Sequence, residues 1–411
     1  MESSIHGFRN MPISERREII RKFSNLSDED MSEMDYRMTN EEASNMIENV
    51  FAVMDFPVGI ATNFKINKKD YLIPMSIEEP SVIAACSNGA RYSLPDGFSA
   101  HSSDPVMRGE IELYDVENPE KAIINIMEKR QEILDMANTR SKTLSSLNAG
   151  AKSIEIKILK NEIILNLLID VQDAMGANII NTMLEYISPF IEELTGAKAN
   201  LRIMSNLTTE RVTYAYAKFD RNLIGEDTVN RIIMAGQFAN NDIYRATTHN
   251  KGIMNGIDAV LLATMNDFRA QEANAHAFAS IGGYKPLTSY RKDSSGNLIG
   301  SIKIPVAVGT VGGSTKTSKK ARLAMKILGV KNSTEFANVL ACVGLAQNFA
   351  AMRALADEGI QKGHMKLHAR NIAIAAGARK EELEKITEEL INSGSISYSN
   401  AVELIKKNKG E

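Results

Sequence analysis

The 411-residue chain has two cysteines, ten prolines and no long uninterrupted apolar run. Two thiols cannot staple a small secreted fold. Cys86 and Cys342 both lie in Ala-rich apolar surroundings, lack metal-ligand spacing, and read as buried, reduced core residues. No run approaches the ~18–20 apolar residues that cross a bilayer. The opening MESSIHGFRN carries no signal-peptide pattern. These absences point to a cytoplasmic chain with no membrane contact. Lys and Arg number 48 against 51 Asp and Glu, a net charge of -3, so no cationic excess exists to hold nucleic acid. G-x-G-x-x-G, the Walker pattern and H-E-x-x-H are also missing, which removes the ordinary Rossmann, P-loop and zincin readings. What remains is an ordinary soluble composition, 44% apolar and 24% charged. The length calls for two or three domains.

What is present concentrates between Tyr244 and Ala279. Arg245 and Lys251 are cations beside a Gly-rich segment, Lys251 to Gly256, which reads as a turn. An apolar run, Ala259 to Met265, has the length of a strand or of a buried helix turn. The carboxylate Asp267 follows, then an Ala-rich helical stretch. Cations, apolar wall and carboxylate together can build a site; they also fit a surface turn with scattered charges.

Residues 1–50 read as short polar helices, with Ser14 and Ser27 as N-caps. Strands follow to residue 75. Glu78-Glu79-Pro80-Ser81 then opens a helix, Val82 to Arg91, with proline at its first position. Next come a strand (Gly109 to Val116), a helix (Ala122 to Asn138), two strands (Ser153 to Leu159, Ile163 to Val171), a helix (Ala174 to Leu194) and a strand (Val212 to Phe219). That order is a ferredoxin-like unit over residues 107–217, inserted in a larger α+β or mixed α/β domain made of 1–106 plus 218–362. Asp173 to Asn178 begins its second helix. Asp173 can be an N-cap; Gly176 and Ala177 clear the first turn for a pyrophosphate. The loop Val306 to Thr315 reads as a turn or a dimer-contact loop. Phe336 to Ala354 is a buried helix in which the amides Gln347 and Asn348 need partners.

The segments His249 to Asp258 and Asn266 to Ala273 resemble the catalytic lysine and aspartate region of the class II, soluble 3-hydroxy-3-methylglutaryl-coenzyme A (HMG-CoA) reductases. Ile47-Glu48-Asn49-Val50, Glu78 to Ser81, Asp173 to Asn178, Gly344 to Asn348 and Gly363-His364-Met365 match other family segments in family order. The similarity runs from Phe8 to Lys407. It implies a non-Rossmann nucleotide domain and a mobile C-terminal helical flap, residues 363–411. It implies reduction of HMG-CoA to mevalonate and free coenzyme A with two NAD(P)H. The same site run backwards would oxidise mevalonate.

By the resemblance, Lys251 holds the developing oxyanion, Glu79 is the proton donor, Asp267 is the charge partner of Lys251, and His364 protonates the leaving thiolate. Arg9 meets the coenzyme A moiety. Ser81, Arg245, Asn255, Gln347 and Asn348 hold the acyl part. Asp173, Met175, Gly176 and Asn178 hold the dinucleotide. Arg140, Ser141 and Lys142 flank the adenosine ribose; family members that use NADH carry an acid where Ser141 stands, so NADPH is the expected cofactor, with NADH possible. Glu48-Asn49-Val50 implies a homodimer or higher homo-oligomer with active sites at the subunit interface. No metal is expected. His364 and His368, four residues apart, keep a zinc hydrolase open as an alternative, though no third ligand motif accompanies them. A non-catalytic binder of coenzyme A esters is the other.

Overall fold

The computed structural model describes residues 1–160, 162–313, 317–356, 369–379 and 381–409. β1 (Val58–Ile66) and β2 (Lys69–Ser76) form a hairpin. Asn67 and Lys68 both have positive φ, as a two-residue type I′ turn requires. β3 (Phe98–Ser102) pairs with β1 in parallel, and the chain then leaves this sheet. It forms β4 (Val106–Tyr114), β5 (Gly150–Leu159), β6 (Glu162–Asp170) and β7 (Lys198–Met204), a four-stranded antiparallel sheet in the order β5-β6-β4-β7. It returns through β8 (Val212–Phe219), followed by β9 (Thr288–Lys292) and β10 (Leu298–Pro305). The larger sheet has the order β2-β1-β3-β8-β10-β9.

The expected closing strand of the small sheet was Val212 to Phe219; it is a central strand of the large one. Its alternate residues are buried while Tyr214 and Tyr216 stay half exposed, so it covers one core only. The small sheet is closed by Lys198–Met204, whose polar alternation gave a weaker signal. The expected helix Ala122 to Asn138 is two helices, Pro119–Glu128 and Arg130–Asn138, broken at Lys129. With the helix Ala177–Thr195 they cover one face of the small sheet and share its core.

The large core is built on three helices, Val82–Arg91, Ile243–Ala263 (the lysine helix) and Ser333–Ala356 (the central helix). The central helix has the length and apolarity to cross a membrane despite its interrupting amides, yet 72% of its most apolar stretch is buried inside the protein. The segment from Lys251 to Gly256, expected as a turn, is the middle of the lysine helix. Its glycines serve helix packing. A Cβ on Gly256 would stand 3.0 Å from Val343 and from Gln347; one on Gly344 would stand 2.9 Å from Ile253; one on Gly89 would stand 2.2 Å from the carbonyl oxygen of Ala346. Gly252, in contrast, faces open space. Leu383–Asn392 and Tyr398–Lys409 form a separate small core with Ala369 and Ala373.

Gly89→Ala meets backbone that cannot yield, so it should cost ~2–3 kcal/mol of stability. Gly252→Ala should gain ~0.5–1 kcal/mol by helix propensity alone. Urea midpoints of the two variants measure both; similar shifts would remove the packing role assigned to Gly89.

Candidate active site

Glu79 stands just before the helix Val82–Arg91, and the central helix holds that helix against the lysine helix. The result is an ion pair, Lys251 Nζ to Glu79 Oε2 at 3.8 Å, with both side chains partly open to solvent. Pro80 is not the first helical residue: Ser81 is the N-cap, at φ 83, and makes no capping bond. Its hydroxyl oxygen is buried without a partner. A non-glycine residue in the left-handed region with an orphaned polar atom marks a place where structure is held ready for something else. One turn beyond Lys251 on the same helix face lies Asn255, half-buried.

A second group of residues lines a cleft of about 810 Å³. Met175, Gly176 and Asn178 come from the start of the helix Ala177–Thr195; Asp267 and Arg269 come from the start of the helix Phe268–Ser280 (the aspartate helix); Gly309, Gly312 and Gly313 come from the loop after β10. Gly176, not Asp173, is the N-cap; it sits at φ 97 and its would-be Cβ falls 2.5 Å from Val171. The side chain of Asp173 is used elsewhere. Its Oδ1 accepts from the N–H of Ser333 at 2.8 Å, and its carbonyl accepts from Thr310 at 2.9 Å. Arg211, buried, donates to the carbonyls of Ala174 and Val308 and so ties that turn to the loop. Gly309 donates to Asn266 Oδ1 at 3.0 Å and leaves room for the backbone of Met175. None of Arg211, Asn266 or Gly309 was expected from sequence. Only the glycine richness of residues 306–313 hinted at the loop.

Asp267 does not meet Lys251 within the chain. Its Oδ1 caps the aspartate helix through Ala270, and its Oδ2 pairs with Arg269 at 3.0 Å. The reason is helix length: the end of the lysine helix that reaches the cleft is Leu262, eleven residues or ~16 Å beyond Lys251.

The two amides of the central helix differ. Asn348 is a core amide: its Oδ1 accepts from Thr288 at 2.9 Å and Tyr290 at 2.7 Å, and its Nδ2 donates to the His249 carbonyl. These bonds anchor it in the core. Gln347, beside it, has a buried Oε1 with no partner. His249 completes the network through Thr288; burial, then Arg245, pushes its imidazole down to about 4, so it is neutral near pH 7. Arg245 is half-buried and reaches the Met352 sulfur at 3.7 Å. Arg9 is exposed on a single 3-10 turn, with no hydrogen bond or ion pair to the other expected residues among those described. Ser141 caps the short helix Lys142–Ser146 by accepting from Leu144, and Arg140 lies 4.6 Å over the ring of Tyr186. Arg140 and Lys142 are exposed. His364 and His368 lie outside the described residues. Among the described residues no three His, Cys, Asp or Glu converge as metal ligands.

A family model described as hydroxymethylglutaryl-coenzyme A reductase matches residues 12–369. The chain belongs to that family. It is 48% identical, over 99% of its length and 95% of the relative's, to the 3-hydroxy-3-methylglutaryl-coenzyme A reductase of Archaeoglobus fulgidus. It is 36% identical to a probable 3-hydroxy-3-methylglutaryl-coenzyme A reductase of Borreliella burgdorferi, over 97% of this chain and 94% of that one. The class II reductase of Streptococcus pneumoniae, solved bound to NADPH in open conformations, shares its mixed α/β fold with a TM-score of 0.82 and 36% identity, covering 97% of this chain and all of the other. The chain is therefore an oxidoreductase of this family.

Proposed function

We propose that this chain reduces HMG-CoA to mevalonate and free coenzyme A in the mevalonate pathway, in the cytoplasm, with Glu79, Lys251, Asp267 and His364 as its reacting groups. The observation that supports it most directly is the Glu79–Lys251 pair beside the orphaned hydroxyl of Ser81. A bound reduced nicotinamide would supply hydride, twice per turnover. The first-turn N–H groups after Gly176, cleared of side chains by Gly176 and Gly309, fit its pyrophosphate. Lys251 holds negative charge at the carbonyl oxygen as hydride adds, and Glu79 delivers the proton that makes that oxygen a hydroxyl. Ser81 and Gln347 offer unpaired polar atoms to the acyl group. The four-stranded unit is read as the ferredoxin-like cofactor domain, spanning β4 to β7, and residues from 363 as the flap that carries His364.

Lys251→Ala and Glu79→Gln should each lose at least ~100-fold in the rate of cofactor oxidation with HMG-CoA, by the oxyanion and proton-transfer roles. A folded, pure wild-type sample that oxidises neither NADPH nor NADH would end this reading.

The cofactor preference is for NADPH, incomplete. Arg140 and Lys142 are exposed beside Ser141, suited to a 2′-phosphate. Ser141→Asp keeps a side-chain N-cap, so the local helix should survive. The ratio of kcat/KM values should then move toward NADH; a wild type that already prefers NADH overturns this assignment.

The working form is a homodimer with shared sites. Two features support it. Lys251 lies in the middle of the lysine helix, whereas Asp267 lies beyond its C-terminal end, at the start of the aspartate helix. The segment after Ile47 leaves Ile47, Phe51, Met54 and Val58 exposed, while Met54 and Phe56 reach the cleft. Lys251→Ala and Asp267→Ala homodimers should each be inactive. Mixed and reassembled, they should recover about a quarter of wild-type activity, because half the dimers are hybrid and each hybrid has one intact site. No recovery despite hybrid formation would mean each chain holds a complete site.

A further inference from the structure

Two turns past Lys251, on the same face of the lysine helix, sits Asp258. Its Oδ1 is buried without a donor in reach. Opposite it is Glu272 of the aspartate helix, so two acceptor-only groups face one another. Such a contact holds only when one carboxyl carries a proton. Burial, then Glu272, raises Asp258 far above the carboxylate range. Glu272 moves the other way, held down first by His276 and then by Asp258 and Lys251. The contacts continue outward. Glu272 Oε2 lies 2.9 Å from His276 Nε2, and His276 Nδ1 lies 2.6 Å from the Tyr284 hydroxyl, with the two rings stacked. The Glu272 and His276 side chains are each 34% exposed, so the chain of groups reaches water. Inward, Lys251 acts on Glu272 and pairs with Glu79.

We propose that Asp258, Glu272 and His276 form a proton-holding relay that resupplies the Glu79–Lys251 centre between the two hydride additions. The inference rests on the reductase reading. The stoichiometry of that reaction demands such a supply. Each hydride addition forms one C–H bond and one O–H bond, so each consumes one proton. Between them the C–S bond breaks, and the hydroxyl proton of the hemithioacetal ends on sulfur. Two protons therefore enter from solvent per turnover. Tyr284 and His276 lie on the water side, the Asp258–Glu272 pair stores one proton, and Lys251, whose charge acts on Glu272, pairs with Glu79 on the inner side. Asp258 and Glu272 act through the Glu79–Lys251 centre, so they are positioning residues.

The test is the pH profile of kcat in Asp258→Asn and His276→Gln. The amide in the first replaces the shared proton with fixed donors, and the glutamine in the second keeps a donor to Glu272 while breaking the path to Tyr284. The pair is protonated below its raised pKa, so the wild-type rate should fall as pH rises through the alkaline range. In either variant that fall should begin at least about one pH unit lower, with a larger solvent isotope effect and KM for both substrates unchanged. If either variant folds and keeps the wild-type profile and isotope effect, the relay is overturned. The infrared spectrum of the wild type at pH 7 should show a protonated-carboxyl band that Asp258→Asn removes, and its absence overturns the shared proton. The band is read without turnover. An inactive wild type would instead count against the reductase reading, so the two failures are distinguishable.

Discussion

The site depends on how closely three helices approach one another. Gly89 lets the helix after Glu79 lie against the backbone of Ala346. Gly256 and Gly344 let the lysine helix and the central helix interlock on the other side. Side chains at these positions would push the helices apart, and the 3.8 Å between Lys251 and Glu79 would open with them. Close packing is rigid, so it can hold two partly solvated charges in a set relation that their own weak attraction could not. The Lys251–Glu79 pair is partly exposed; what positions it is buried.

Backbone strain gathers at the same corners. Ser81, Gln172 and Met265 are all non-glycine residues at positive φ. They stand immediately beside Pro80, Asp173 and Asn266, at the mouths of the segments that carry Glu79, the Gly176 turn and Asp267. Two of the three corners are pinned by hydrogen bonds: Gln172 by Asp170, and the Met265 corner by the bond from Gly309 to Asn266. Arg211 adds a buried guanidinium across the two loops of the cleft. The wall facing the expected dinucleotide is therefore built before any ligand arrives, which lowers the ordering cost of binding.

Much of this was legible in the sequence because it is local. The strands before residue 76, the helix after Ser81 and the buried central helix each announce themselves by spacing or capping chemistry. What was not legible is set by partners distant in sequence. Gly252 and Gly256 looked like a turn because glycine usually breaks a helix, but Val343 and Gln347, about ninety residues on, decide that Gly256 is a contact point. Asp173 looked like a cap for its own helix and instead binds the start of another, 160 residues away. The hydrogen bonds that Asn348 accepts from Thr288 and Tyr290, about sixty residues earlier, had no signal in the local pattern. Val212 to Phe219 had a clear strand pattern, and no pattern says which sheet a strand joins.

The lysine helix also explains why the site divides as it does. A straight helix of 21 residues is ~31 Å long. It therefore reaches the Glu79 pair with its middle and the cleft beside Gly176 with its end, and it cannot present both at one point. Its apolar residues from Ile253 to Leu261 join the large core with the central helix. The polar face is left for Lys251, Asn255 and Asp258, spaced so that each begins a new turn on one side. Under the proposed function, stabilising the reacting oxygen and storing the next proton would share one rigid element, while the hydride source would be held at its far end. In the proposed dimer, assembly would bring these two ends together, and Met54 and Phe56 of the exposed apolar segment after Ile47 already line the cleft.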